Sequence, residues 1–527
     1  MAEKYKTGAP YKLEGKRLVF TSWYFVDAEN GSEWFLADGI RAALMSEHEK
    51  DDRQVCWRSR FPNYGIKIVL NKAKRVGPLF DNDRPWDERG YTATILKDGG
   101  KYRAWASTSW HLDKQNINNG LCYLESDDGY NWVKPDIGIE EYGGSKKNNF
   151  LTKRVWQFHP GGIFIDPSAP QDERYKWINE ENFTFQEAEG YLKQHPEDAD
   201  WKCVARFKQQ DPSRKSILGA RGAVSPDGIH WTFIEKPLVI TLTDTHPTCY
   251  YDRFLKKYVA YLRDYAVGPQ ADYNGPEIQW NGYTRSIGRT ESEDFRHFPL
   301  PKLVLIPDIS WDPNRVLYTN CRTTIPEAPD HHMMFPSVWN TGEDTASIEA
   351  ASSYDGRIWQ YIPGGPVLET AGYGKWDGGY VFAYPDLIEL PNGDFALPYT
   401  GFDLPHKYPR ILCKRNVGYA LWEKGRITGI KAEEEGEFTT VAIIPKGTKI
   451  RMNALTKRAG YVMIEVLDVN RNVIPGRSFA ECNPLFGDIH FKPLTWNGQD
   501  TIGVENGDPV ILRFKLRRAE IYGLEFI

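Results

Sequence analysis

From about Trp86 onward, short apolar runs alternate with polar turns at intervals of about 8–12 residues, a pattern typical of chains built mainly from β-strands. One example is the apolar run 91–96, followed by the turn 97–100 and a second apolar run at 102–106. The same order of strand, turn and strand recurs at 248–262 and at 387–399. The pattern therefore predicts an all-β protein.

A short motif, Ser-x-Asp-Gly-x-x-Trp or a close variant, occurs four times, beginning at Ser126, Ser225, Ser292 and Ser353. Asp caps its own backbone and Gly supplies a positive φ, so the motif predicts a tight turn that the aromatic residue holds on a core. Recurrence at this spacing indicates an array of similar supersecondary units.

The repeats divide the chain into five units, near 85–150, 155–240, 241–305, 306–370 and 371–430, and the last unit lacks the turn motif. Five units fit a five-bladed β-propeller, which we place at residues 81–430. Residues 1–80 are then an N-terminal lead-in that packs on the propeller. After a charged linker at 431–436, the strand-rich block 437–527 has the length and spacing of a β-sandwich, so we place a C-terminal β-sandwich domain at 431–527.

The composition narrows the range of functions. A net charge of −5 argues against a nucleic-acid partner. The sequence contains no run of 18 apolar residues, so no membrane-spanning helix is predicted. The N-terminus has no apolar signal segment, so a cytoplasmic protein and a secreted one whose signal has been removed fit equally. Aromatic residues make up 14% of the chain; most will fill sheet cores, and some would line a sugar-binding cleft.

With these motifs, the chain resembles the five-bladed β-propeller glycosidases, the superfamily of the invertase and fructosidase group and the arabinanase and xylosidase group. The closer resemblance is to fructosidase-like bacterial proteins. It rests on the pair Trp86-Asp87 and on the segments 144–149 (Gly-Ser-Lys-Lys-Asn-Asn) and 334–337 (Met-Phe-Pro-Ser), with C-terminal elements at 451–453, 487–488 and 512–514. The Asn-Asp-Pro-Asn-Gly, Arg-Asp-Pro and Glu-Cys motifs of the best-known members are absent, so the resemblance implies a fold and glycosidase chemistry without a substrate.

Hydrolysis of a glycosidic bond needs two carboxyl groups on either side of the bond. In a propeller, the first strand of each blade directs its starting residues at the axial pocket, so acids at those positions are the candidates. Asp87 is predicted to be the nucleophile or general base. Asp244 or Glu327 is predicted to be the proton donor.

The remaining candidates are residues that would bind the substrate near the same axis. Histidines at the strand starts would hydrogen-bond sugar hydroxyls, hold a divalent metal ion through neutral imidazole, or be structural. The candidate metal ligands are His159, His246 and His332. An inward arginine would clamp an anionic sugar or tie blades together. The predicted substrate-binding residues are Arg84, Trp86, Glu88, His159, His246, Arg263, His331, His332, Trp376 and Asp377.

Together these features predict a glycoside hydrolase that acts on the end of an oligo- or polysaccharide through a carboxylate pair in the axial pocket. That mechanism needs no cofactor, and its partner is a carbohydrate. Two alternatives remain open: a metal-dependent polysaccharide lyase that uses the axial histidines, and a propeller that binds carbohydrate without catalysis.

Overall fold

The computed structural model of the protein describes residues 9–28, 32–36, 55–59, 61–111, 117–153, 160–198, 216–241, 243, 246–267, 283–409 and 411–527. Within these ranges the chain forms 35 strands, one α-helix, α1 (Phe185–Gln194), and a few short 3-10 turns. The all-β prediction is therefore confirmed. No helix in the described ranges has the length and apolar character that crossing a bilayer requires.

Six strands precede the first repeat unit. They are β1 (Tyr11–Lys12), β2 (Arg17–Val19), β3 (Ser32–Leu36), β4 (Val55–Ser59), β5 (Lys67–Leu70) and β6 (Lys74–Val76). Units 1 to 3 are antiparallel sheets of four strands each, paired in chain order. Unit 1 comprises β7 (Tyr91–Asp98), β8 (Lys101–His111), β9 (Ile117–Ser126) and β10 (Phe150–Thr152). Unit 2 comprises β11 (Ile163–Ile165), β12 (Tyr175–Thr184), β13 (Ser216–Ser225) and β14 (Thr232–Phe233), and unit 3 comprises β15 (Thr248–Asp252), β16 (Lys257–Val267), β17 (Tyr283–Ser292) and β18 (Lys302–Leu305).

Unit 4 consists of two short four-stranded sheets that continue one another. The strands are β19 (Arg315–Leu317), β20 (Arg322–Ile325), β21 (Ala328–Met334), β22 (Ser337–Asn340), β23 (Thr345–Ile348), β24 (Ala351–Ser353), β25 (Gln360–Tyr361) and β26 (Leu368–Glu369). β19 pairs with β22, and β20 pairs with β21. Two consecutive short strands, such as β19 and β20, therefore take the place of one long strand, and the two sheets keep the same order of neighbours.

Unit 5 takes its outer strand from the N-terminal lead-in. Its strands are β27 (Tyr380–Ala383), β28 (Ile388–Glu389), β29 (Phe395–Phe402) and β30 (Arg415–Trp422), and β6 pairs with β30 at the outer edge. Because the fourth strand comes from residues 74–76, unit 5 has no hairpin between a third and a fourth strand. This connection explains why the last unit lacks the repeated turn motif.

The five units contact one another in a closed order. β7 of unit 1 lies against β29 and β30 of unit 5, β11 lies against β15, β17 against β19, and β23 against β27. Units 1 and 2 are joined by side chains: Thr94 Oγ1 donates to the Pro160 carbonyl at 3.0 Å. Each unit therefore packs on the next, and the fifth packs on the first.

The repeated turns join neighbouring units. In the turn of unit 2, the Gly228 carbonyl accepts one hydrogen bond from Trp231 Nε1 at 3.0 Å and another from Trp105 Nε1 of unit 1 at 2.6 Å. Gly129 and Gly356 have the same arrangement, with Tyr419 and Tyr261 of the preceding units as the second donors. The sequence motif thus forms an inter-unit contact as well as a turn.

Gly228→Ala tests this contact. Gly228 has φ +77°, and a Cβ there would lie 2.7 Å from Trp105 Cζ2. Gly138 is the matched control, because it has φ +78° and open space around the same position. Both substitutions carry the left-handed backbone cost of about 1–2 kcal/mol, and overpacking should cost Gly228→Ala about 1–3 kcal/mol more. Urea unfolding of both variants measures the difference, and equal losses would contradict the inter-unit contact.

A further sheet is built from the C-terminal block and two lead-in strands. The C-terminal strands are β31 (Thr428–Thr439), β32 (Ile443–Ile444), β33 (Ile450–Leu467), β34 (Asp488–Pro493) and β35 (Ile511–Phe526). The six-stranded sheet has the order β34-β33-β35-β31-β5, and β2 also pairs with β35. The lead-in is therefore shared between this sheet and unit 5, in addition to packing on the predicted propeller region.

The predicted linker at 431–436 is wrong. These residues lie inside β31, which pairs with β35 across a β-bulge between Ala432 and Glu435. Their charged side chains face solvent and form ion pairs, such as Glu433 with Lys67 at 3.0 Å and Glu434 with Arg518 at 2.8 Å. A solvent-exposed charged run at a β-bulge has the composition of a linker, which is why the sequence alone misplaced it.

Candidate functional site

A cavity of about 510 Å³ lies where the first strands of all five units meet. Such a volume falls within the about 300–1,000 Å³ typical of ligand pockets. Its wall carries more polar groups than a packed core would. The polar side chains on the wall are those of Lys97, Thr248, Tyr250, Arg322, Thr323, Thr324, Glu327, Asp386 and Glu389, and residues 161–165 also line it.

The cavity wall contains the later part of the first strand in units 1, 4 and 5 and, in units 2 and 3, the starting residues of β11 and β15. Lys97 precedes the hairpin of unit 1, Glu327 lies in the hairpin of unit 4, and Glu389 ends β28 of unit 5. The sequence analysis placed the pocket at the strand starts, and these line the cavity in units 2 and 3 but not in units 1, 4 and 5. At those starts, residues 154–159, 242, 244 and 245 are outside the described residues, so His159 and Asp244 have no described position.

Asp386 is the carboxyl group of the cavity with an altered acidity. It follows the fully buried run 380–384 and lies between β27 and β28. Burial raises its pKa from 3.8 to about 6, although the Arg322 charge and the Thr323 hydroxyl act in the opposite direction. Thr323 Oγ1 also accepts from the Leu387 backbone N–H at 3.0 Å. A carboxyl group with a pKa near 6 can both donate and accept a proton near neutral pH.

Glu327 and Glu389 bring two further carboxyl groups to the cavity. Glu327 sits at φ +60° in its hairpin, its side chain is 53% exposed, and Lys16 Nζ lies 3.7 Å away. Glu389 is held by Arg17, whose Nη1 and Nη2 donate to its two carboxylate oxygens at 2.8 and 3.0 Å. This bidentate pair commits both oxygens of Glu389, so Glu327 is the more available of the two.

The lead-in closes one side of the cavity rim. The Arg17 backbone N–H donates to the Glu327 carbonyl at 3.1 Å. Gly15 packs so closely on the 327–329 hairpin that a side chain there would overlap the Glu327 carbonyl. The segment that carries Lys16 and Arg17 is thereby fixed beside Glu327 and Glu389.

Arg322 places a positive charge on the cavity wall, in addition to that of Lys97. Its guanidinium lies 3.3 Å from the centre of the Tyr250 ring, and its Nη2 lies 2.6 Å from His332 Nδ1. Stacking on an aromatic ring and contact with the imidazole hold the guanidinium in place. A fixed guanidinium beside Asp386 can orient a polar ligand through charge-assisted hydrogen bonds.

The residues predicted around Asp87 lie outside the cavity wall. Asp87 is fully buried at the end of the 3-10 turn Pro85–Asp87, and its Oδ2 lies 2.6 Å from Lys134 Nζ. Burial raises the Asp87 pKa, while Lys134 opposes that shift. Trp86 Nε1 donates to Asn149 Oδ1 at 3.1 Å. The half-exposed Glu88 pairs with His111 at 2.8 Å, and the half-exposed Arg84 lies 4.0 Å from Asp83.

Asp377 and Trp376 lie within unit 5 and outside the cavity wall. The buried Asp377 Oδ2 accepts from Tyr399 OH at 2.8 Å and pairs with Arg75 Nε of β6 at 2.8 Å. Trp376 stacks on Tyr399 with 5.5 Å between ring centres. These contacts fasten the lead-in strand to unit 5.

The described histidines are distributed over several places. His246 is buried at φ +40°, with its ring 4.4 Å from that of Tyr384. His331 is buried against Phe25 at 5.0 Å, and burial lowers its pKa to about 4. Among the described residues, neither His246 nor His332 belongs to a group of three metal-ligating side chains. Arg263 lies over the Tyr265 ring at 4.9 Å, on β16.

Of the residues on the cavity wall, the sequence singled out Glu327 but not Asp386, Arg322 or Glu389, and it did not single out Arg17, which binds Glu389. One signal was present for Asp386, because an acid so soon after five consecutive apolar residues, 380–384, with only Pro385 between, is unusual at the end of a buried strand. Nothing in the local sequence relates Arg17 to Glu389, which are 372 residues apart.

No protein-family model matches the chain, and no curated protein matches it. Among solved structures, it is similar to a glycosyl hydrolase from Bacteroides ovatus (TM-score 0.41, 10% identity, covering 68% of this chain and 94% of the other). It is also similar to a GH32 beta-fructofuranosidase from Bombyx mori (0.35, 9%, 87% and 94%) and to an endo-arabinase from Bacteroides thetaiotaomicron (0.34, 12%, 64% and 96%). All three solved structures carry names of glycoside-cleaving enzymes, the kind of protein that the sequence resembles.

Proposed function

We propose that the five units are the blades of a β-propeller and that the cavity lies on its axis. The closed order of contacts supports this arrangement, as does the outer strand that residues 74–76 contribute to the last unit. We further propose that the six-stranded sheet and the segments packed on it form a β-sandwich. Its hydrophobic core is the set of buried apolar side chains that includes Leu13, Phe438, Trp496 and Phe526.

On this scaffold, we propose that the protein is a glycoside hydrolase. The observation that carries the proposal is Asp386, a carboxyl group with a pKa of about 6 in the same cavity as the carboxyl group of Glu327. Glycosidases need one carboxyl group that is protonated when the substrate binds and a second that acts as nucleophile or base. Asp386 is suited to the first role and Glu327 to the second.

In the proposed reaction, Asp386 gives its proton to the oxygen of the leaving sugar as the glycosidic bond breaks. Glu327 attacks the anomeric carbon itself or takes a proton from the water that does so. Arg322 orients sugar hydroxyls from the wall. Because all five first strands enclose the cavity, it suits the end of a chain better than a chain that passes through, which favours exo-action.

The proposal is tested by hydrolysis assays over a panel of aryl glycosides and bacterial and algal polysaccharides. Wild-type protein should release reducing sugar from at least one substrate, and Asp386→Asn should not. Release of an unsaturated product that a chelator abolishes would instead identify a metal-dependent lyase. Binding of a glycan by both proteins without any product would identify a non-catalytic carbohydrate-binding propeller.

A further inference from the structure

Away from the cavity, two histidines and two acids meet where unit 2 packs on unit 3. They are His195, Glu197, Asp198 and His297, and one potential ligand atom from each lies within 4.8 Å of all the others. Within the part of the chain that the structure describes, this is the only group of three or more potential metal-ligating side chains whose ligand atoms lie so close together.

Local structure positions three of the four residues. The helix α1 begins with a capping box between Thr184 and Glu187. At its other end, the His195 backbone N–H donates to the Tyr191 carbonyl at 3.0 Å, and the Asp198 N–H donates to the His195 carbonyl at 3.1 Å. The helix end and the following 3-10 turn Pro196–Asp198 therefore present an imidazole and a carboxylate from one short rigid segment.

The fourth residue comes from the repeated turn of unit 3. The imidazole of His297 stacks on that of His195 with ring centres 3.9 Å apart, and its Nε2 lies 2.5 Å from Asp198 Oδ2. Asp198 is 2% exposed and also accepts a hydrogen bond from Tyr191 OH at 3.0 Å. A buried carboxylate between an imidazole and a tyrosine hydroxyl has the setting of a metal ligand oriented by an outer hydrogen bond.

We propose that this cluster binds one Zn²⁺ ion. His195 and His297 would each give an imidazole nitrogen, and Asp198 and Glu197 would each give a carboxylate oxygen. Two nitrogens and two oxygens form a ligand set that Zn²⁺ accepts in tetrahedral geometry, and four protein ligands leave no open position for catalysis. The ion would fasten α1 to the turn of unit 3, a structural role separate from hydrolysis at the cavity.

Calorimetric titration of metal-free protein, without an affinity tag, with ZnCl₂ tests the proposal, and Co²⁺ absorbance reports the coordination geometry. We expect one equivalent of Zn²⁺ to bind. His297→Gln or Asp198→Asn should weaken binding at least about tenfold, and Tyr191→Phe should weaken it about 10- to 100-fold through the lost outer hydrogen bond. A tetrahedral Co²⁺ spectrum should be absent in the His195→Gln/His297→Gln double variant.

His230→Gln is the matched control, because His230 also pairs with an acid, Asp227, at 2.8 Å but is exposed and has no second histidine. It should bind Zn²⁺ as the wild type does. The proposal is overturned if no equivalent binds, or if binding is unchanged in the double variant. Zinc removal should lower the melting temperature and leave hydrolysis of any substrate unchanged, so failure here is distinct from failure of the proposed glycosidase.

Discussion

Asp386→Asn should lower kcat/KM by about 10²- to 10⁴-fold, the usual contribution of a general acid. An amide has no proton to give to the leaving sugar, whereas the binding groups Arg322 and Tyr250 remain. The loss should therefore fall on kcat more than on KM. Steady-state kinetics on the substrate found in the panel measure both constants.

The dependence of kcat/KM on pH also tests whether Asp386 is the proton donor. Asp386 has a pKa of about 6 and acts in its protonated form, so wild-type kcat/KM should fall as the pH rises through about 6. The residual activity of Asp386→Asn should lack this alkaline limb. A limb that persists in the variant would assign the proton donor to another group.

Asp386→Asn should lower activity but should not lower the free energy of unfolding at pH 7. Because the folded pKa lies above the unfolded value of 3.8, the folded state binds more protons between pH 4 and 6, and stability falls as the pH rises through that window. Asp386→Asn removes this penalty, which amounts to at most about 3 kcal/mol at pH 7. Unfolding in urea at pH 7 should show a variant at least as stable as the wild type.

Asp394→Asn is the matched control for both measurements. Asp394 belongs to the same unit, but its carboxylate accepts from the Lys424 backbone N–H and lies outside the cavity wall. Activity should stay near the wild-type value. If Asp386→Asn hydrolyses substrate as fast as Asp394→Asn, Asp386 is not the proton donor.

Asp87→Asn should lower the free energy of unfolding by about 3–5 kcal/mol, the usual cost of removing one partner from a buried ion pair. Asp87 is fully buried and Lys134 is 8% exposed, so the substitution removes the buried counterion of Lys134 and leaves it only the exposed carboxylate of Asp83. Urea unfolding at pH 7 measures the loss. Activity per folded molecule should be retained, which distinguishes a structural Asp87 from the catalytic one predicted from the sequence.

The double variant Asp87→Asn/Lys134→Met provides the decisive comparison. It removes both charges, so it should recover much of the stability that Asp87→Asn loses. Glu125→Gln is the control on an accessible pair, since Glu125 meets Lys101 at 2.9 Å near the surface and should cost less than about 1 kcal/mol. A stable but inactive Asp87→Asn variant would instead restore Asp87 as the nucleophile or base.

The sequence by itself determined the all-β class and the position of the repeated turns, because both depend on interactions between residues close in the chain. In the first turn, Ser126 Oγ accepts from the Gly129 N–H and Asp128 Oδ1 from the Asn131 N–H, all within three residues. Alternation of apolar and polar positions is equally local. Such features can be read from a single sequence without knowing the fold.

The tertiary structure alone decided which side chains meet. Residues 74–76 complete unit 5, Arg17 binds Glu389 from 372 positions away, and Lys134 neutralises Asp87 from 47 positions away. Packing of the units brings Glu327 and Asp386 to one cavity, and the strand starts at which the sequence placed the pocket line it only in units 2 and 3. The periodicity of a strand shows which of its faces is buried. The position of a cavity between several sheets depends instead on packing between segments that are distant in the chain. Only the folded structure shows that packing.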